Sequence, residues 1–487
     1  MGIKFGTDGW RAIISQDFTF ENVRIASQAV ADHFVGAGLP RTEVLDIQVL
    51  GTEVKPAPTF VIGYDWRFLS EKYAELAAEV LAGNGIKVLL SDKAVPTPLV
   101  SFAIKNKKLS GGLMISASHN PPYYNGLKIK ASYAGTADEG ITKSVETLLA
   151  KNPVQSVEFK KGVESGMIEL IDLKKDYMKF AKSYIDFKHL KNAKVNVLVD
   201  CMHGVGDGYI PEMLKGTKIK ITQMRTGRDA LFGGVNPEPI PKNLEAPFKA
   251  MKDKKAKYDI CIVNDGDADR IGAVLPGGKF MGAGQIMALL LLHFIEDRKW
   301  TGGVVKTVSN TTLIDLIAKK YNLKLYETPV GFKYICRLML DEDILIGGEE
   351  SGGIGVKDYM PERDGMLLGA LLVEMMAYRK KGILEILKDV EKEYGTFKYQ
   401  RIDMDYSDEK KKKLMELLKT NPPKQVCGKY VKEIKSSDGH KFIMDDNSWL
   451  ILRLSGTEPI LRIYAEASSE KIANSYLDFG KNLALNM

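Results

Sequence analysis

The sequence predicts an α/β protein of three similar α/β units followed by a smaller C-terminal α+β module, and three observations carry that expectation. Short apolar runs of β type alternate with longer segments of helical spacing up to residue 392. Each of three such cycles delivers a strand into a polar, glycine-bearing loop. From residue 393 the pattern changes to a lysine-rich helix, two strands around a turn and a last helix. The 487 residues suit this division, since roughly 150 residues per domain implies about three domains, with two to four reasonable.

In the first cycle TFVIGYD (59–65) is a buried strand, EKYAELAAEVLAG (71–83) a helix closed by glycine, VLLSD (88–92) a strand and LVSFAIKNK (99–107) a helix. GGLMIS (111–116) then runs straight into SHNPPYYNG, a loop of turn formers. The second cycle starts with KVNVLVD (194–200), turns at HGVGDG and closes with YDICIVN (258–264) entering DGDADR. The third runs GGVVKTV (302–308), a helix TLIDLIAKKYN, and DILIGG (343–348) entering EESGG, and ends in a helix over 366–381. The module that follows pairs WLILRLS with LRIYAEA around GTEP. Ligands of open α/β sheets sit beyond the carboxyl ends of strands, which makes these loops the first places to look.

Composition narrows the function classes. Apolar residues at 45% and charged residues at 27% exclude a disordered or disulfide-stapled chain. The net charge of +7, from 69 basic and 62 acidic residues, is spread thinly and does not mark a nucleic-acid binder. The basic run Lys410–Lys413 follows Ser407, Asp408 and Glu409 and is a capped helix start with a solvated face. Cys201, Cys261, Cys336 and Cys427 lie far apart without a CxxC pair, so disulfides and zinc are not expected and a reducing, cytoplasmic setting is. The start MGIKFGTDGWRAI has no signal-peptide core, and the apolar run Ile286–Leu292 suits a core helix but is too short for a membrane span.

Five loops offer chemistry. Asp265, Asp267 and Asp269 stand within DGDADR directly after an apolar strand; such crowded carboxylates call for cations, and hard oxygen ligands suit Mg²⁺ or Ca²⁺. An EF-hand is excluded by Arg270 and Pro276 at its sixth and twelfth positions, while a solvated acidic turn stays open. Ser118 beside His119 on a strand-end loop is a candidate nucleophile, with simple turn chemistry as the alternative. Lys128 and Lys130 share one side of a short strand and can serve an anion or face water. In GGEESGG, Glu349 and Ser351 can point together at neighbouring hydroxyls, or the segment is a mobile turn. Arg453, Ser455, Gly456 and Thr457, with Arg462 beyond, form either a phosphate nest or a tight hairpin, and Arg11 in FGTDGWR can reach an anion. No GxxxxGK[ST] loop is present, which argues against a nucleotide-triphosphatase site. The inventory as a whole fits phosphoryl transfer on a phosphorylated polyol.

The ordered set FGTDGWR, GYDWR, PTP, SASHNPPYYNGLKIK, VDCMHGVG, NPEPIPKNLE, DGDADR, TPVGFKYI, GGEESGG, RDG and RLSGTEPILRIYAE spans nearly the whole chain. In it the sequence resembles the α-D-phosphohexomutase superfamily, of the phosphoglucomutase/phosphomannomutase kind. The resemblance implies four domains with mixed sheets around a central cleft. Their expected bounds are 1–165 with the phosphoserine loop, 166–277 with the metal loop, 278–392 with the sugar-binding loop and 393–487 with the phosphate-binding loop. It implies a phosphorylated Ser118, and Mg²⁺ on Asp265, Asp267 and Asp269 with the Ser118 phosphate as a further ligand. Arg11, His119, Lys128, Arg270 and Lys333 are implied to line the site, with Glu349 and Ser351 reading sugar hydroxyls. Arg453, Ser455, Gly456, Thr457 and Arg462 are implied to hold the substrate's second phosphate. The implied reaction interconverts hexose 1- and 6-phosphates through a 1,6-bisphosphate, in a monomer or homodimer whose C-terminal domain opens and closes. EES in GGEESGG is more similar to phosphoglucomutases than to phosphoglucosamine mutases, whose loop usually carries Gln and a closing SGH, so glucose is favoured, with mannose possible. Three rivals remain at this point: a phosphoglucosamine mutase, a haloacid-dehalogenase-type phosphatase with an Asp nucleophile, and a non-catalytic descendant.

Overall fold

A computed structural model of the chain describes residues 2–36, 58–454 and 459–486. The first sheet takes β1 (Trp10–Ile13), β2 (Thr59–Tyr64), β3 (Lys87–Ser91), β4 (Gly111–Ile115), β5 (Tyr124–Ala131) and β6 (Ile168–Ile171) in the order β1-β5-β4-β2-β3-β6. Strands β2, β3, β4 and β6 run parallel, and the apolar runs of β2, β3 and β4 are buried between helices such as Ser70–Gly83 and Thr97–Lys107. β5 returns antiparallel to β4 because the loop between them is shorter than the dozen or so residues a parallel crossover needs.

The same construction recurs twice. In the second sheet, β7 (Asn196–Asp200), β8 (Lys220–Met224), β9 (Ile260–Asn264), β10 (Ile271–Leu275) and β11 (Lys279–Met281) lie in the order β11-β10-β9-β7-β8. In the third, β12 (Gly303–Thr307), β13 (Leu325–Thr328), β14 (Ile344–Gly348) and β15 (Ile354–Val356) lie as β13-β12-β14-β15. In each of the three sheets a parallel strand (β4, β9 or β14) enters its polar loop and turns back as an antiparallel partner (β5, β10 or β15). The mixed sheets are thus a direct product of the loops that carry the chemistry.

The first sheet includes β6, beyond residue 165, which joins β3, and the second includes β11, beyond 277, which joins β10. Both are edge strands, IELI and KFM, too short to declare themselves by periodicity.

The C-terminal sheet is wholly antiparallel, with β16 (Lys398–Asp405), β17 (Gln425–Val426), β18 (Lys429–Lys435), β19 (His440–Met444), β20 (Trp449–Leu454) and β21 (Ile460–Ala467) in the order β16-β21-β20-β19-β18-β17. The lysine-rich helix Asp408–Thr420 is capped by Ser407, whose side chain accepts from Lys410 N. This unit has its own core, including Leu450, Leu452, Leu461 and Ile463. By contrast one continuous core runs from the helix Thr97–Lys107 through the second sheet to the buried helices Ala283–Leu292 and Gly365–Arg379, tying the first three units together. All four cysteines are free thiols; Cys201, Cys261 and Cys336 are buried and Cys427 is exposed. No helix among the described residues is long and apolar enough to cross a membrane.

Candidate active site

Ser118 lies in the loop that joins β4 to β5, with a left-handed backbone (φ 52°), a conformation that costs a non-glycine residue about 1–3 kcal/mol. Its surroundings hold it there. Arg67, from GYDWR and fully buried, donates to the carbonyls of Ser118 and Asn120 at 2.6 Å each and to those of Pro121 at 2.8 Å and Tyr124 at 3.0 Å. Ser118 N donates to Ser116 Oγ at 2.8 Å. The hydroxyl is thereby aimed at the metal loop: Ser118 Oγ donates to Asp265 Oδ2 at 2.8 Å and lies 3.2 Å from His119 Nδ1.

The metal loop turns between β9 and β10, and Asp265, Asp267 and Asp269 are fully buried with ligand oxygens all within 4.8 Å of one another. Gly266 is required by close approach, since a Cβ there would sit 2.7 Å from Ser118 O. Asp267 Oδ2 accepts from Thr97 Oγ1 at 2.6 Å, Lys128 Nζ at 2.7 Å and Ser116 Oγ at 3.1 Å. Asp269 Oδ2 pairs with Arg363 at 2.8 Å and Lys128 at 3.1 Å. Asp267 Oδ1 and Asp269 Oδ1 remain buried with no hydrogen-bond partner among the described residues. Bare anionic oxygens sealed from water are costly, and two of them beside a third carboxylate fit a hard divalent cation such as Mg²⁺. Burial and the neighbouring Asp269 and Asp267 push the Asp265 carboxyl well above its usual range, the mutual effect of crowded acids.

The cations around this loop are fixed. Burial opposes the Lys128 charge, but Asp267, Asp269 and Asp8 outweigh it and raise its pKa. Asp8 is itself buried yet held well below the carboxylate range by Arg363, Lys128 and Lys130. Lys130 pairs with Glu362, so both β5 lysines serve a buried charge network and neither faces water. Arg11 donates to Asn120 Oδ1 at 2.8 Å, and Arg270 donates its backbone N–H to Asp265 Oδ1 at 2.9 Å. Burial, then the positive charge of Arg270 and Arg11, depresses His119 well below 6.5 and keeps its ring neutral.

The remaining predicted residues are placed less closely together. Glu349, in the turn between β14 and β15, accepts from Gly331 N at 2.9 Å, and burial with the adjacent Glu350 raises its pKa to about 7. Ser351 is half-buried in the same turn. Lys333 reaches across to Glu139 at 2.5 Å. Arg453, at the end of β20, donates to Asp438 at 2.8 Å, and Arg462 on β21 lies 3.7 Å from Asp403. Ser455, Gly456 and Thr457 fall outside the described residues. Asp8, Arg67, Thr97, Ser116 and Arg363 were not singled out from sequence, although each sits in a motif noted there; their partners come from distant segments, and only the fold shows them.

Comparison with known proteins identifies this architecture. Family models of phosphoglucomutase/phosphomannomutase match in chain order: alpha/beta/alpha domain I over residues 2–155, domain II over 175–278, domain III over 283–394 and the C-terminal domain over 407–479. The chain belongs to the phosphoglucomutase/phosphomannomutase family. Membership makes it an isomerase, a mutase that transfers phosphate on hexose phosphates. A phosphoglucomutase/phosphomannomutase of Thermococcus kodakarensis is 30% identical over 99% of this chain and 98% of its own length. A phosphoglucosamine/phosphogalactosamine mutase of Sulfurisphaera tokodaii is 28% identical over 98% of each. Among solved structures, a Thermus thermophilus protein assigned as a phosphomannomutase superposes with a TM-score of 0.84 at 33% identity, covering 100% of this chain and 99% of that one.

Proposed function

We propose that the chain interconverts glucose 1-phosphate and glucose 6-phosphate, relaying the phosphoryl group through Ser118 and a glucose 1,6-bisphosphate intermediate. The observation that carries this reading is the 2.8 Å hydrogen bond from Ser118 Oγ to Asp265 Oδ2, which joins two buried side chains 147 positions apart in sequence. A phosphatase with an Asp nucleophile leaves that serine without a task.

A phosphorylated Ser118 carries a charge of about −1.5 to −2 near neutral pH. Lys128, Arg11 and Arg270 gather fixed positive charge around it, in place before the reaction begins. A hydroxyl of the bound sugar monophosphate attacks the phosphorus in line; its O–P bond forms as the P–Oγ bond breaks, and the hydroxyl proton passes to the released Ser118 oxygen. In the return half, Ser118 Oγ attacks the other phosphate of the bisphosphate; the Oγ–P bond forms as the P–O bond to the sugar breaks, and the serine proton ends on the released sugar oxygen. Neutral His119, 3.2 Å away, is placed to take the hydroxyl proton. Asp265, Asp267 and Asp269 would hold Mg²⁺, which supplies charge neutralisation at the phosphoryl oxygens. Glu349 and Ser351 orient the sugar hydroxyls, while Arg453, Arg462 and Ser455 to Thr457, with Lys333, receive the phosphate that does not react.

The glucose assignment rests on the EES triplet of GGEESGG. Its test is a comparison of glucose, mannose, glucosamine and N-acetylglucosamine 1-phosphates with Mg²⁺ and catalytic glucose 1,6-bisphosphate. The highest kcat/KM is expected for glucose; a preference for an amino sugar overturns the assignment. Radiolabelled phosphate is expected on Ser118, and label on Asp265 instead overturns the relay.

A further inference from the structure

We propose that Thr97 is a positioning residue for the metal loop, turning Asp267 so that Oδ1 alone is offered to the cation. The inference rests on the assignment of a divalent cation to Asp265, Asp267 and Asp269. Asp267 Oδ2 receives three donors, Thr97 Oγ1 at 2.6 Å, Lys128 Nζ at 2.7 Å and Ser116 Oγ at 3.1 Å. A carboxylate oxygen has about two lone-pair sites, so Oδ2 is saturated and has nothing left for a metal. Its partner Oδ1 is buried and unpartnered among the described residues. The carboxylate is therefore held in a one-oxygen ligating pose by groups of the first unit, although it belongs to the second.

Of the three donors, Thr97 is best placed to fix that pose. Its hydroxyl makes the shortest bond, and its backbone N–H donates to Asp267 O at 3.0 Å, so one residue grips both side chain and main chain of the ligand. Ser116 divides its oxygen between Asp267 and Ser118 N, and Lys128 spreads its charge over Asp267, Asp269 and Asp8. Thr97 opens the helix Thr97–Lys107 between Pro96 and Pro98, whose rings restrict the local backbone. The first N–H groups of a helix have no partner within it, so the bond to Asp267 O uses a donor that the fold leaves over. Metal affinity is thus set partly by how the first unit docks on the second, through a side chain that touches neither metal nor substrate.

The test is binding of Mn²⁺, an EPR-visible stand-in for Mg²⁺, to the metal-free protein and to Thr97→Val and Thr97→Ser, with melting temperatures recorded in chelator. Thr97→Val is expected to weaken binding by about 10-fold, the usual cost of losing a partner behind a ligand. Thr97→Ser keeps the hydroxyl and is expected to bind as the wild type does, a rescue that a merely space-filling role would not produce. Should valine not be accommodated, Thr97→Ala gives the same comparison. Unchanged affinity in a folded variant without the hydroxyl overturns the inference. Absence of Mn²⁺ binding in the wild type overturns instead the metal assignment beneath it.

Discussion

Ser118 combines a strained backbone, a neutral imidazole neighbour and a carboxylate acceptor, and each has a consequence that one substitution exposes. Ser118→Ala should lower turnover on the order of 10⁶-fold, the scale of deleting a covalent nucleophile, and should end labelling by radioactive phosphate without altering the melting temperature much. Residual mutase rate near that of the wild type would refute the relay. Glu349 provides a pH signature. Its pKa stands raised from 4.5 to about 7, so the folded protein keeps a proton that the unfolded chain releases as pH rises through 4.5. Stability linked to this group is therefore full below 4.5, is lost as pH climbs towards 7, and amounts to at most about 3 kcal/mol. Glu349→Gln has no such proton to lose. Its melting temperature should gain on that of the wild type between pH 5 and 8, and a constant difference across that range would contradict the raised pKa.

The helix Gly365–Arg379 abuts the metal loop end-on, with Gly365 N donating to Ala268 O at 3.1 Å. A Cβ at Gly365 would lie 2.1 Å from Arg270 O and 2.6 Å from Asn264 Nδ2. Alanine gains about 1 kcal/mol of helix propensity over glycine, but overpacking costs about 1–3 kcal/mol, and contact with backbone favours the upper end. Gly365→Ala should thus melt at a lower temperature and bind divalent cation more weakly, as calorimetry and a metal titration can measure; a more stable variant would show that the contact yields. At this scale the sequence was most informative for buried parallel strands, because TFVIGY, GGLMI and ICIVN are uninterrupted apolar runs. It was least informative for the C-terminal sheet, where only WLILRL and ILRIYAEA stood out. KYQRIDMD and KYVKEIK alternate partly exposed and charged positions along strands with one covered face, which dilutes the β signal. The site shows the same division. Ser118 and the three aspartates stand in compact motifs, whereas Thr97 and Arg363 gain their meaning from partners 170 positions away in one case and 355 in the other.

Across the whole molecule, the first three units share a continuous core while the fourth is joined to the third by polar contacts. Glu466 accepts from Thr312 N at 2.8 Å, Lys441 Nζ donates to Val308 O at 2.7 Å, and Asp438 accepts from Val330 N at 2.8 Å. Polar interfaces between units with separate cores permit relative motion, and the proposed bisphosphate relay, in which the intermediate would turn over without escaping, would call for closure. Glucose 1,6-bisphosphate should therefore reduce the radius of gyration in small-angle X-ray scattering; identical curves with and without it would count against a moving fourth unit. The distribution of thiols makes such movement easy to follow. Cys427, in the β17–β18 turn of the fourth unit, is the exposed one of four cysteines, while the others are enclosed. A maleimide fluorophore would settle on that single position of the native enzyme with no background cysteine to remove, and its anisotropy would report the swing of the fourth unit in real time.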